Sequence, residues 1–214
     1  DVLFPNKSDG KPFSLLQKSY IVQGLHGVLK IPSWFGICHA LLCKNACFMS
    51  KPIYLQRAQP RNASIWWTLV EEDRPHLEYW LPHLKRLNTI TTAEQYIEKH
   101  QYLDYYLGSW VFEIWVEKTI VGLVQLHSGN RTHQKAELAY WLGAPYRGKG
   151  YVTRACRILL ALTFDTTALQ TVCIRCLPDN SSSRATAERL GFLPQPELAN
   201  EALMFSINRE QWLP

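Results

Sequence analysis

One segment limits the possible folds of this chain more than any other: a strand pattern, a glycine-containing loop and a helical pattern in direct succession. The strand pattern covers residues 136–143, the loop reads GAPYRGKG over residues 143–150, and apolar residues recur at helical spacing from Val152 to Thr163. Amides at a helix start are unpaired and point one way, and the helix dipole makes that end positive. The segment predicts an anion-binding loop or, since short glycine motifs are common, a plain strand–turn–helix connection.

The loop differs in two respects from the phosphate-binding loop of ATPases. That loop places Ser or Thr after its lysine, because the hydroxyl binds Mg²⁺, whereas here Gly150 follows Lys149. ATPases also need an Asp at the end of a buried strand. The apolar run that ends in Asp, residues 158–165, has a helical period instead. A magnesium-dependent phosphotransferase therefore fits the sequence poorly.

The composition is typical of one globular domain. The 214 residues are 47% hydrophobic and 19% charged, which is enough for one domain with a full core. Residues 1–48 hold five Lys and two Asp, so much of the net charge of +5 lies there. A nucleic-acid-binding face clusters Lys and Arg, and the nearly neutral main part does not suggest one. We expect no nucleic-acid partner, and no membrane span because every apolar run falls short of about 20 residues.

Residues 1–48 differ from the rest because they show no sustained period of 2 or 3.6. They precede Met49, which resembles a natural start of translation. We therefore predict a non-conforming extension over residues 1–48, of the kind that upstream in-frame sequence would produce, and one domain over residues 49–214. The six cysteines are interpreted as reduced thiols, since a chain of this size folds without disulfides, and the expected location is cytoplasmic.

From residue 53 onward the pattern alternates strands and helices. Residues 63–81 predict helix with a break before Pro75, and a capping box, Thr91 with Glu94, predicts a helix that ends near Tyr106. A last helix is predicted over residues 181–190, with Asp179 or Asn180 as its N-cap. The predicted strands are residues 53–58, 110–117, 120–128, 136–143, 171–177 and 202–208. This order favours a single α/β domain, with a mixed, mostly antiparallel sheet and helices on both faces.

Two long motifs contain or follow the glycine loop. The first is AELAYWLGAPYRGKGYVTRAC over residues 136–156, and the second is RCLPDNSSSRATAERLGF over residues 175–192. In this order and spacing they closely resemble the GNAT N-acetyltransferases, and within them the Rim-type branch, which acetylates N-terminal amines of ribosomal proteins. Weaker similarity extends from about residue 53 to Trp212, and residues 1–48 lie outside it.

The resemblance implies acetyl-CoA as the acetyl donor, bound between two splayed strands, residues 136–143 and 171–177. Backbone groups of the first strand would pair with the pantetheine arm, Asn180 would hydrogen-bond the same arm, and amides of the loop would hold the pyrophosphate without a metal. The implied cofactor-binding residues are Tyr140, Trp141, Leu142, Arg147, Gly148, Lys149, Gly150, Tyr151, Val152 and Asn180. Val152 departs from the small residue usual in the family, which implies some crowding of the phosphates.

Two residues are candidates for the chemistry. In similar enzymes a hydroxyl at the position of Ser183 stands near the thioester sulfur, so Ser183 is the candidate for protonating the leaving thiolate. The alternative is a polar residue that merely occupies the first helical turn. Glu137 is the candidate base, through a water if needed, and its alternative is a carboxylate with a structural role. Other branches place a Tyr four residues after Ser183, where this chain has Ala187.

The implied function is transfer of an acetyl group to a primary amine by direct attack in a ternary complex. An α-amine has a pKa near 7.7–8.0 and is partly neutral at cellular pH, whereas a lysine has a pKa near 10.4. No sharply placed general base stands out in the sequence, and this favours a protein N-terminal α-amine as the acceptor. A small-molecule amine as acceptor and a non-catalytic acyl-CoA-binding module stay open as alternatives. The expected assembly is a monomer or a homodimer.

Overall fold

The computed structural model describes residues 21–24, 27–30, 37–38, 51–107, 109–127, 134–196 and 202–212. The chain divides into two compact units, residues 1–36 and 37–214. In the first unit β1 (Ile21–Gly24) and β2 (Gly27–Lys30) form an antiparallel hairpin. The sequence pattern indicated no element here, because strands of four residues are too short to show a period. Met49 and the boundary after residue 48 lie outside the described residues, so the domain boundary stays a prediction.

The second unit is built on one sheet. Its described residues form eight strands in the order β3–β4–β5–β6–β7–β8–β10–β9. Neighbouring strands are antiparallel except for the parallel pair β7–β8, which confirms the predicted mixed, mostly antiparallel sheet. The strands are β3 (Ile37–Cys38), β4 (Ile53–Arg57), β5 (Trp110–Val116), β6 (Thr119–His127), β7 (Lys135–Leu142), β8 (Thr171–Cys176), β9 (Leu193–Pro194) and β10 (Leu203–Asn208).

Helices cover both faces of this sheet, as predicted. The α-helices among the described residues are α1 (Ala63–Glu71), α2 (Arg74–Trp80), α3 (Ile90–Leu107), α4 (Tyr151–Thr166) and α5 (Ser181–Arg189). Two buried clusters result. One joins α4 and α5 to one face of the sheet, and the other joins α1, α2 and α3 to the opposite face.

Strand β7 shows how the sheet separates the two cores. Leu138 and Leu142 belong to the core under α4 and α5, and Tyr140 packs against it. Trp141 belongs to the core under α1, α2 and α3. Because side chains alternate across a strand, Glu137 lies on the same face as Trp141. Successive side chains of β7 therefore lie on opposite sides of the sheet.

The start of α3 differs from the prediction. Thr92 N donates to Thr89 Oγ1 at 3.1 Å, and Thr89 N donates to Thr92 Oγ1 at 3.0 Å. The predicted capping box of Thr91 and Glu94 was therefore wrong, because a threonine hydroxyl reaches back to the cap as a glutamate usually does. The two-residue strand β9 was not predicted. The other predicted elements that lie within the described residues begin and end within about one residue of the observed bounds, which is the ordinary uncertainty of helix and strand ends.

Candidate active site

Strands β7 and β8 separate along their shared edge. Their parallel pairing ends where Glu137 lies opposite Cys173, although β7 continues to Leu142. The outer edges stay paired, β7 with β6 and β8 with β10. The backbone groups of β7 that face β8 beyond Glu137 therefore lack a strand partner. An extended chain with amide groups could bind this opening as an added strand does.

A cavity of about 1010 Å³ occupies this opening. Its volume is at the upper end of the range usual for small-molecule sites. Its wall contains every residue that the sequence analysis selected: Glu137, Tyr140, Trp141, Leu142, Arg147, Gly148, Lys149, Gly150, Tyr151, Val152, Asn180 and Ser183. The structure thus brings the candidate cofactor-binding and catalytic residues to one site.

The glycine loop presents its backbone at the start of α4. Gly148 and Gly150 have φ values of +73° and +71°, in the left-handed region that side chains rarely adopt. Gly150 is the N-cap of α4. A Cβ atom added at either glycine would meet nothing within 4 Å, so the space in front of the helix start is open. The unpaired amides at this helix start can bind an anion there.

The two cationic side chains of the loop have partners within the protein. Arg147 forms an ion pair with Asp73, which immediately precedes α2, and also donates to the backbone oxygen of Leu142. Lys149 Nζ donates to Pro145 O at 2.8 Å. In this structure the backbone amides are therefore the groups best placed to hold a phosphate. The Arg147–Asp73 pair also links the loop to the start of α2.

Asn180 caps α5. Its Oδ1 atom accepts hydrogen bonds from Ser183 N and from Ser182 Oγ, each at 3.0 Å. This decides between the two predicted caps in favour of Asn180 over Asp179. The cap uses the oxygen of the amide group. Among the described residues, the Asn180 Nδ2 group has no hydrogen-bond partner, so it could donate to a bound amide.

Ser183 lies beside a second hydroxyl. Its Oγ atom is 2.9 Å from Tyr140 Oη, and the two residues come from α5 and β7. Burial raises the pKa of Tyr140, so its phenol stays protonated. The sequence analysis assigned Tyr140 only a backbone role. Strand alternation alone places its side chain on one face, but only the fold shows that α5 covers that face.

Glu137 forms an ion pair with Arg175, which stands on the neighbouring strand β8. The two side chains are partly exposed, at 36% for Glu137 and 51% for Arg175. On the other side of β7, His127 of β6 lies directly opposite Glu137. The Glu137 carboxylate is therefore held at the opening of the cleft, where the Arg175 guanidinium is already its ion-pair partner.

Histidines near Glu137 are kept neutral. Burial lowers the pKa of His127 to about 4, and nearby His100 adds to that effect. Burial also lowers the pKa of His83 and of His100. The rings of His100 and His127 are 5.7 Å apart. This group could not be found from the sequence, because its members come from separate elements and form no local motif.

Two features are absent from the part of the chain that the structure describes. Among its residues, no three His, Cys, Asp or Glu side chains stand close enough to hold a metal ion. Within the same part of the chain, no helix has both the length and the hydropathy needed to cross a membrane.

Comparisons with known proteins agree with this geometry. A family model described as an acetyltransferase (GNAT) domain matches residues 55–193. The YdaF protein of Bacillus subtilis, assigned as a ribosomal N-acetyltransferase, is 25% identical over 178 residues, which cover 78% of this chain and 96% of YdaF. The ribosomal-protein-serine acetyltransferase of Escherichia coli is 29% identical over 97 residues, 43% of this chain and 54% of that protein.

A similar solved structure is that of the microcin C7 self-immunity acetyltransferase MccE in complex with acetyl-CoA and AMP. It has a TM-score of 0.66 and 24% sequence identity, and the match covers 73% of this chain and 92% of that chain. At this identity the likeness establishes the fold.

Proposed function

The chain belongs to the GNAT family of acetyltransferases and is an N-acetyltransferase, and from this premise we propose that its acceptor is the N-terminal α-amine of a protein. Acetyl-CoA is the proposed donor, and its thioester supplies the activated acetyl group. The residues present fit it: an open strand edge on β7, free amides at the start of α4, and one continuous cavity that joins them. No metal is part of the proposal, because these donors are backbone amides.

One observation carries the choice of acceptor. Among the described residues that line the cavity, Glu137 is the one carboxylate, and it is paired with Arg175. The pKa of His127, which also lines the cavity, is lowered to about 4, so this imidazole would accept a proton poorly. A lysine would need strong help to lose its proton, whereas an α-amine near 7.7–8.0 needs little. The two relatives from Bacillus subtilis and Escherichia coli, whose names refer to ribosomal acceptors, support the same choice.

In this proposal the reacting groups stand on two sides of the cleft. Ser183 and Tyr140 stand on the side of α4 and α5, where Ser183 Oγ can donate a proton to the leaving sulfur. Glu137 stands on the opposite face, where its carboxylate can orient the incoming amine or a water. The amine would thus approach from one side while the sulfur is protonated from the other.

The acceptor is tested by measuring acetyl-CoA turnover with a panel of amines. We expect a peptide with N-terminal Ser to be acetylated, and the same peptide with a blocked α-amine and an internal lysine to react far more slowly. The rate should rise with pH, reach about half its maximum near pH 8 and level off about one pH unit higher, as the α-amine loses its proton. Faster turnover of polyamines or small amines would identify a small-molecule acetyltransferase. Acetyl-CoA binding without turnover of any amine would identify a binding module.

Ser183→Ala is expected to lower kcat by about 100-fold, the lower end of the range for general acid catalysis, with little change in the KM for acetyl-CoA. The reason is that a proton donor to the thiolate acts mainly in the transition state. Ser181→Ala, an exposed serine in the same turn, is the matched control and should retain full activity. Normal turnover of the Ser183 variant would show that the acid is another group or that the thiolate leaves unaided.

A cytoplasmic location also belongs to the proposal. The described cysteines, Cys156, Cys173 and Cys176, are free thiols, as expected in a reducing compartment. A monomer or a homodimer is the proposed assembly.

A further inference from the structure

The Ser183 hydroxyl needs a partner to fix its direction. A serine side chain rotates freely about its single χ angle, and its hydrogen turns to suit its surroundings. Here the cap bond from Ser183 N to Asn180 Oδ1 fixes the backbone of this residue but not its hydroxyl. Tyr140 Oη, at 2.9 Å from Ser183 Oγ, is the group that contacts the hydroxyl itself.

Either of the two hydroxyls could be the donor, and the distances from Tyr140 Oη favour one direction. The Tyr140 side chain is half-buried against the core under α4 and α5, and Cys156 and Thr186 lie near its phenol. Thr186 Oγ1 already donates its hydrogen to Ser182 O at 2.9 Å. Tyr140 Oη lies 2.9 Å from Ser183 Oγ and 3.4 Å from Ser183 O, so Oγ is the nearer of these two acceptors for the Tyr140 hydrogen. A serine oxygen that accepts this bond keeps its own hydrogen for a group in the cavity.

We propose that Tyr140 is a positioning residue for acetyl transfer: its phenol donates to Ser183 Oγ and thereby orients the Ser183 hydrogen towards the sulfur of the leaving thiolate. This inference rests on the proposed function of Ser183.

The bond between the amine nitrogen and the acetyl carbon forms, and the bond between that carbon and sulfur breaks with its electron pair on sulfur. Ser183 Oγ gives its proton to the sulfur and regains one from water in the cleft. The amine releases its proton to water. Tyr140 keeps its own proton throughout, because its burial disfavours the phenolate.

The test is Tyr140→Phe, which keeps the ring and removes only the hydroxyl. With acetyl-CoA and the peptide that begins with Ser, we expect kcat to fall about 10-fold, which is less than the loss expected from removing the acid itself. The KM for acetyl-CoA should stay nearly unchanged. The double variant Tyr140→Phe with Ser183→Ala should be no slower than Ser183→Ala alone, because Tyr140 acts through Ser183. A merely structural role would not produce this non-additivity at constant KM.

Tyr54→Phe is the matched control, since Tyr54 is a half-buried strand tyrosine whose ring stacks on Trp115. It should retain full activity. Normal turnover in Tyr140→Phe, together with a loss in Ser183→Ala, would overturn the role of Tyr140 and leave the proposed acid in place. If the losses of the two single variants multiplied in the double variant, that result would also overturn the role of Tyr140. Normal turnover in both single variants would overturn the acid and the positioning role together.

Discussion

Replacing Gly150 with Asp is expected to abolish acetyl-CoA binding while the protein stays folded. Gly150 is the N-cap of α4, and a side chain added there would extend into the open space in front of the helix amides. Two like charges about 4 Å apart at an effective dielectric constant near 20 repel by about 4 kcal/mol, which corresponds to a loss of about 1000-fold in affinity. The left-handed φ of +71° adds strain of about 1 kcal/mol, which a domain can tolerate.

Calorimetry with acetyl-CoA measures this effect, and thermal unfolding confirms that the variant is folded. Gly150→Asn is the matched control, because Asn has the same size, tolerates the left-handed region and carries no charge. It should bind more weakly than the natural chain but far more tightly than Gly150→Asp. Binding should not change when EDTA is added. Tight, magnesium-dependent ATP binding that is lost in Gly150→Asp would contradict the proposed pyrophosphate site.

Glu113→Ala is expected to destabilise the protein by about 3–5 kcal/mol, because several donors lose their acceptor at about 1–3 kcal/mol for each buried one. Glu113 lies on β5 and is fully buried. Its carboxylate accepts hydrogen bonds from Asn62 Nδ2, from Trp66 Nε1 and from Trp115 Nε1 at 2.9–3.2 Å. Gln59 N donates to it as well, at 3.2 Å. Alanine would leave the buried Trp66 donor and the half-buried donors of Gln59, Asn62 and Trp115 without this acceptor.

Thermal and urea unfolding measure this loss, which should lower the unfolding midpoint by roughly 10 °C in a domain of this size. Glu117→Gln is the control: Glu117 forms an exposed ion pair with Lys51, and such pairs contribute at most about 1 kcal/mol. An equal effect of the two substitutions would show that the network of Glu113 does not support the fold.

The same network predicts a dependence on pH. Burial raises the pKa of Glu113, and the surrounding donors offset only part of this rise. A carboxyl whose pKa is higher in the folded state stabilises the fold fully below its unfolded pKa of about 4.3, and this contribution is lost as the pH rises through the folded pKa. Glu113→Gln, which cannot ionise, should remove that part of the pH dependence and destabilise less than Glu113→Ala.

The sequence by itself determined the elements and the family. Helices and strands such as α4 and β7 were predictable because their apolar residues follow local periods, and those periods depend only on neighbours in the chain. The motif that contains Gly148 and Gly150 is likewise contiguous. A helix start with left-handed glycines before it is a local structure, so its residues could be selected as an anion-binding loop before any fold was known.

Only the tertiary structure decided which distant side chains meet. Tyr140 and Ser183 are 43 residues apart, and Arg147 and Asp73 are 74 apart. Glu137 meets Arg175 because β7 and β8 are parallel neighbours, and His127 stands opposite Glu137 because of the register of β6. Sheet order and register arise from the packing of the whole chain, and a shift of one residue would move every side chain of a strand to the other face. Local patterns therefore predict the parts of this site, and the packed sheet decides their partners.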